Sequence, residues 1–175
     1  MSEIGVRALQ AADWEVFRTI RLEALRTEPG VFSAKHDVEA AQDQAWWEVR
    51  MRSSRHQVFG AFASGEPVGT IGAFTWNEDP SGATAILAML FVRQGSRGQG
   101  VTGPLFSAAL DWARGQPGFR QVVVAHRASN IASMRSILRH GFAEVRREPH
   151  VWPDGSTEDE VGYVLALSAK ASSAP

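Results

Sequence analysis

Between Ala85 and Val92 the chain is apolar at eight consecutive positions. A strand wetted on one side alternates apolar and polar residues, so an unbroken run of this length predicts a strand covered on both faces. The pattern breaks at Arg93, and the stretch from there to Gly103 holds four glycines with Ser96, Arg97, Gln99 and Thr102 between them. Such a composition lets the backbone turn sharply and approach a ligand closely. Helical spacing follows: Leu105, Ala108, Ala109 and Trp112 recur three or four residues apart, with Ser107, Asp111 and Arg114 between them.

The same reading extends over the rest of the chain. Ile4 to Leu9 alternates as a short strand, and Ala12 to Arg26 reads as a helix in which Trp14, Phe17, Arg21, Ala24 and Leu25 form a mainly apolar stripe. Glu28-Pro29-Gly30 stops that helix. Phe32 then falls in a loop before a second helix, Val38 to about Arg52. Gln57 to Ala63 and Pro67 to Trp76 read as strands joined by a tight turn at Ser64-Gly65-Glu66, and the polar turn Asn77 to Gly82 leads into the long apolar strand. After the central helix, Gly115 to Gly118 resets the chain and Gln121 to Ala125 reads as a short buried strand. A helix from Asn130 to His140 follows, with Gly141 as its left-handed C-terminal residue. The strands Phe142 to His150 and Val161 to Leu167 come last, with Trp152-Pro153-Asp154-Gly155 in their connection and a small, polar, frayed tail from Ser168 to Pro175. There is no repeat and no linker, so residues 1–175 are expected to form one domain with its core over about 4–167. The predicted class is α+β: a mixed, mostly antiparallel sheet of about seven strands with helices on both faces.

Composition narrows the function classes. A chain of 175 residues with 44% apolar content suits a single buried core. With a net charge of −1 and arginines spread along the chain, a protein held to nucleic acid by phosphate contacts is not expected. No apolar stretch is long enough to span a bilayer, and Met1-Ser2-Glu3 opens no signal-like segment, so a cytoplasmic protein with no membrane partner is expected. The absence of cysteine excludes disulfides, thiolate metal sites and an acyl-cysteine intermediate.

Strand, glycine turn and helix start, in that order, make an anion site, because the first amides of a helix lack internal partners and point at the turn. The kinase-type phosphate loop does not fit, since Gly100-Val101-Thr102 carries no lysine. The dinucleotide fingerprint matches only as a string, at Gly98, Gly100 and Gly103; position 120 is Arg where an acid is wanted, and no second alternating unit follows.

Val92 followed by Arg97-Gly98-Gln99-Gly100-Val101 resembles the pyrophosphate loop of the GNAT superfamily of acyl-CoA-dependent N-acetyltransferases. Asn130, Ser133, Ile137, Leu138 and Gly141-Phe142 resemble that family's later motif, and the likeness spans roughly Ile4 to Leu167. It implies a GNAT-like fold in which the long apolar strand and the Gln121 strand run parallel and splay apart around acyl-CoA. It further implies acetyl-CoA as cosubstrate, no metal, a small-molecule or peptide amine as acceptor, and compatibility with a homodimer.

The roles implied are specific. The backbone of Leu90, Phe91 and Val92 would bond the pantetheine and polarise the thioester; the amides of Gly98, Gln99, Gly100, Val101, Thr102 and Gly103, with Arg97, would cradle the diphosphate. Asn130 would meet the pantetheine amides and Ser133 the adenosine end, although Asn130 also suits a helix N-cap and Ser133 an ordinary first-turn residue. The first helix pair would wall the acceptor cleft, with Phe32, Trp46, Trp47 and Trp152 near it, while aromatic residues on helices equally suit the core.

The chain departs from the family pattern where catalysis is concerned. Ile137 stands where many relatives carry the tyrosine that protonates the leaving thiolate, and Ala125 stands where some carry a glutamate base. His126, Glu78, Asp79 and His150 are the titratable alternatives, none with a pattern that singles it out, and a water relay to solvent would also serve. Catalytic residues are therefore not assigned from sequence. The readings to separate are a small-molecule or peptide N-acetyltransferase, a protein N-terminal or lysine acetyltransferase, a CoA-binding module without turnover, and a mononucleotide-binding protein using the same loop.

Overall fold

Seven strands form one sheet in the computed structural model, which describes residues 3–167. In chain order they are β1 (Ile4–Ala8), β2 (His56–Ala63), β3 (Glu66–Thr75), β4 (Thr84–Val92), β5 (Gln121–Arg127), β6 (Ala143–Val151) and β7 (Thr157–Ala166). Across the sheet the order is β1-β2-β3-β4-β5-β7-β6. Every neighbouring pair is antiparallel except β4 and β5, which run parallel. The helices are α1 (Trp14–Thr27), α2 (His36–Ala40), α3 (Gln44–Val49), α4 (Thr102–Gly115) and α5 (Ile131–Arg139). The tail from Ser168 lies outside the described residues.

The periodicities explain which faces are covered. In α1 the buried residues are Phe17, Ile20, Arg21, Ala24 and Leu25, one stripe at helical spacing. Burying each large apolar member contributes about 1.5–3 kcal/mol. In α4, Leu105, Phe106, Ala109, Leu110 and Ala113 turn inward onto the opposite face of the sheet, against Phe59, Ala61, Val68 and Leu87. The β2–β3 hairpin closes on Ser64 and Gly65, both with positive φ (50° and 84°), the turn whose twist matches its strands. Gly141, with φ of 86°, ends α5 in the left-handed conformation its position called for.

Two expectations need correction. The single helix predicted over Val38 to Arg52 is two short ones, because the Asp43 carboxylate accepts the Trp46 amide at 2.9 Å and starts α3 afresh after the turn at Ala41. The strands at the centre are also not sealed on both sides. Ile86, Ala88, Met89 and Leu90 in β4, and Val123 and Ala125 in β5, are only half-buried.

The reason lies in how β4 is threaded between its neighbours. From Thr70 to Gly72 in β3, the partner strand runs from Phe91 to Ala88, so β4 holds one extra residue there. Met89 marks this bulge with φ of 58°, an unusual conformation for a residue with a side chain. The bulge resets the alternation: Ala85 and Leu87 face α4, whereas Met89 packs with Phe17 and Trp47, and Phe91 with Ile20 and Leu25, on the α1 side. On the other edge, β4 pairs with β5 only at Thr84↔Gln121, Ala85↔Val122 and Ile86↔Val123. Beyond Ile86 the two strands part.

Gly72 gives the bulge room, since a Cβ there would lie 2.6 Å from Met89 Cε and 2.4 Å from Phe74 Cε2. Replacing Gly72 by Ala is expected to destabilise the fold by about 1–3 kcal/mol through overpacking, read as a lower urea midpoint with an unchanged slope.

Candidate active site

Where β4 and β5 part, the sheet opens into two adjoining cavities. One, of about 440 Å³, is bounded by Leu90, Phe91 and Val92, by the glycine turn, and by Asn130, Ser133, Ser136 and Arg139 of α5 and its cap. The other, of about 290 Å³, is bounded by Ile86 to Leu90, by Val124 to Arg127, and by Arg21, Phe32, Trp152 and Glu160. Val31, Leu90, Asn130 and Ser133 border both, so the two form one continuous cleft through the split.

The larger cavity is built by backbone. After the short 3-10 turn Gln94–Ser96, Gly98 and Gly100 adopt φ of 74° and 80°, and a Cβ built on either meets no atom within 4 Å. Both glycines border the cavity together with Thr102 and Gly103 of the first turn of α4, where an anion can meet the helix N-terminus. Of the residues expected at the cofactor, Leu90, Phe91, Val92, Arg97, Gly98, Gly100, Val101, Thr102, Gly103, Asn130 and Ser133 all border this cavity. Gln99 does not; its side-chain amide turns back to donate to the Gly95 carbonyl at 2.8 Å. Arg97 is held in place by donating from Nε to the Val92 carbonyl at 3.0 Å and by pairing with Glu28. Asn130 caps α5, its Oδ1 accepting the Ser133 amide at 3.1 Å. Arg139 escaped the sequence reading, although it shares a helix face with Ala132 and Ser136, which also border the cavity. Among the described residues no carboxylate pairs with it.

The smaller cavity is built by side chains. Phe32 and Trp152 border it as expected. Trp46 and Trp47 do not: Trp47 is fully buried edge-on to Phe17 at 5.5 Å, and Trp46 packs between Trp47 and the Arg50 guanidinium. Both are packing residues of the α1–α3 layer.

Arg127, at the end of β5, fastens the rim of this cavity. Its guanidinium donates to the Gly30 carbonyl at 3.0 Å, to Asp154 at 2.7 Å, to Glu158 at 2.5 Å and to Ser156 Oγ at 2.6 Å. The loop after α1 and the β6–β7 turn are thereby tied to the free end of β5. Gly30 is needed for this closeness, because a Cβ there would stand 2.5 Å from Asp154 Oδ2. Hydrogen bonds from Arg127, with help from Ser156 and Ser129 respectively, hold the Asp154 and Glu158 carboxyls below the usual carboxylate range.

The titratable alternatives sort by position. His126 is buried, and its Nδ1 lies 2.7 Å from the Arg127 carbonyl, which can only accept, so Nδ1 carries the proton. Nε2 then accepts the Tyr163 hydroxyl at 3.1 Å. Both ring nitrogens are engaged within the protein. Glu78 and Asp79 sit on the turn before Thr84, at the zipped end of β4. Neither borders the cleft. His150 packs edge-on against Trp152 at 4.8 Å and does not border the cleft. Ile137 is fully buried in the core with Phe106 and Phe142. The carboxylate that does border the acceptor end is Glu160, on β7, which accepts from Arg146 at 2.5 Å. No group of three or more metal-ligating side chains is assembled among the described residues, and no helix among them is long and apolar enough to cross a membrane.

A parallel pair split around a cleft, with a glycine turn and a helix N-terminus at its mouth, defines a class of acyl-CoA-dependent transferase, and comparison with known proteins places the chain within it. Residues 14–142 match the Acetyltransferase (GNAT) family. The chain belongs to that family of acetyltransferases, whose cosubstrate is acetyl-CoA. It is similar to an L-methionine sulfoximine/L-methionine sulfone acetyltransferase of Pseudomonas aeruginosa, 29% identical over 114 residues that span 65% of this chain and 66% of the relative. Its fold is similar to a GNAT-family acetyltransferase from Streptococcus pneumoniae (TM-score 0.82, 15% identity, 95% of this chain and 100% of that one). It is also similar to a Salmonella typhimurium protein solved with its cofactor acetyl-CoA (TM-score 0.77, 22% identity, 97% and 96%).

The Arg127 clasp has a pH signature. Carboxyls with depressed folded-state pKa values stabilise the fold above their ordinary pKa of about 4, and that contribution is lost as pH falls below it. Arg127→Met should therefore lower the Tm at neutral pH, and the gap to the unaltered protein should narrow in melts recorded below about pH 4.

Proposed function

We propose that this protein transfers the acetyl group of acetyl-CoA to the primary amine of a small molecule by direct attack in a ternary complex. The observation that carries this reading is the parting of β4 from β5 after Ile86, which leaves a slot joining an anion cradle to a side-chain-lined pocket. At about 290 Å³ that pocket is at the small end of ligand sites, matched to a metabolite more than to a folded protein surface. The Pseudomonas aeruginosa relative, named for acetylating amino-acid derivatives, supports the same scale of acceptor.

The residues fit acetyl-CoA at both ends. The glycine turn at Gly98 and Gly100, the first amides of α4 and Arg139, which no carboxylate among the described residues pairs, suit a diphosphate and a further phosphate. The unpaired inner edge of β4 at Leu90 to Val92 suits the amides of the pantetheine arm, and a backbone donor there would oppose the charge on the thioester oxygen, contributing about 3–4 kcal/mol when well placed. Acetyl-CoA supplies an acetyl group already activated as a thioester. With no cysteine in the chain an acyl-cysteine relay is excluded, and in this reading the amine nitrogen itself bonds the carbonyl carbon as the carbon–sulfur bond breaks.

An amine of ordinary basicity is neutral in only about one molecule in a thousand at pH 7, so a proton must leave before attack. Glu160 is the carboxylate placed to receive it, directly or through one water, and Arg146 holds it in position. The departing thiolate can take its proton from water.

Acceptor-dependent release of thiol from acetyl-CoA, measured over a panel of amines, tests the reading; tight CoA binding with no acceptor-dependent thiol would contradict it. Glu160→Gln should lower kcat by about 100-fold while leaving the KM for acetyl-CoA in place. Arg139→Ala should do the opposite, raising that KM about tenfold with little change in kcat, and the effect should shrink as salt is added.

A further inference from the structure

We infer that Arg21 is the anion-binding residue of the acceptor pocket, so that the acceptor is an amine that also carries a carboxylate, as an α-amino acid does. This rests on the acetyltransferase reading of the same cleft. Arg21 occupies a position in the buried stripe of α1 that periodicity reserves for an apolar side chain, between Phe17 and Leu25, and its side chain is 7% exposed. A guanidinium so placed must have its donors met, because desolvation without partners is costly.

They are met on one edge only. Nε and Nη2 donate to the two Glu39 oxygens at 2.9 and 3.0 Å. Nη1, also buried, has no hydrogen-bond partner among the described residues. The same residue borders the acceptor cavity, where the Phe32 ring faces its guanidinium at 5.2 Å. Phe32, on the turn between α1 and α2, packs with Ile20, Leu25 and Phe91 and covers the guanidinium from the cavity side, so an anion that reaches Nη1 must shift this ring.

The other charges bordering the pocket are matched within the protein, Arg127 by Asp154 and Glu158 and Glu160 by Arg146. Nη1 of Arg21 is the charged nitrogen left over for an entering anion among the described residues. A planar carboxylate is the group a guanidinium edge matches best, and an amino acid is of a size with the cavity.

The test compares acceptors that differ only in that group. L-amino acids and their carboxamides are assayed with acetyl-CoA at fixed pH. The unaltered protein should show a kcat/KM for the acids at least tenfold above that for the amides, carried mainly by KM. In Arg21→Met, and in the double variant Arg21→Met/Glu39→Met that leaves no buried orphan charge, the acid-to-amide ratio should fall to about one; Arg21→Lys should retain part of it. Equal or better use of the amides by the unaltered protein overturns the proposal without needing any variant to fold, and so does a variant that keeps the full preference. Amides acetylated as fast as acids would leave the acetyltransferase reading standing, whereas no acceptor-dependent thiol with any amine would remove both.

Discussion

Backbone hydrogen bonds that β4 and β5 do not make to each other organise this molecule. Each strand is secured on its outer edge, β4 by β3 from Thr75 to Gly69 and β5 by β7 along its whole length from Gln121 to Arg127. The inner edges are paired only as far as Ile86 and Val123. Buried amides and carbonyls demand partners, so the free inner edges define a place where an extended, amide-bearing ligand is accommodated as a further strand would be. The bulge at Met89 turns successive side chains to the sides where α4 and α1 can cover them without closing the gap.

The two ends of the resulting cleft use different materials. At the diphosphate end the contacts are generic, made of glycine backbone, helix amides and a cation, as suits a ligand whose charge matters more than its shape. At the acceptor end they are particular: the rings of Phe32 and Trp152, the Glu160 carboxylate, and the half-satisfied Arg21. The Arg127 clasp joins the walls of that end across chain segments that begin near Gly30 and end near Glu158, so the pocket's shape depends on tertiary hydrogen bonds more than on any one element.

What could be read from the sequence was what is local. The apolar run, the glycine turn with its positive-φ positions and the capped helix at Asn130 each have a signature within a few residues, and each was found at the expected place. The bulge has none, because one extra residue in an apolar strand changes no periodicity; only its register with Gly72 in the neighbouring strand shows it. Asp43, the cap that starts α3, lies inside the single helix expected from Val38 to about Arg52, and its role shows only in the bond it accepts from the Trp46 amide. Trp46 and Trp47 illustrate the reverse, being aromatic candidates for a cleft, of which tertiary packing placed Trp47 in the core and Trp46 against it. Glu160 and the Arg127 partners became functional candidates only when β7 was seen beside β5. Arg21 was visible as a charge in an apolar stripe, but its partner Glu39 lies eighteen residues away in a separate helix, and an orphaned nitrogen has no trace in sequence.

Hydrogen exchange resolved along β4, with and without CoA, tests the split most directly. If the inner edge of β4 is where the pantetheine arm binds, CoA slows exchange at Leu87 to Val92 and at Gly98 to Gly103 while leaving β1 and β2 as they were. If those β4 amides are as protected without CoA as the rest of the sheet, and CoA changes nothing there, the strands are zipped in solution and the cleft is not the site of transfer.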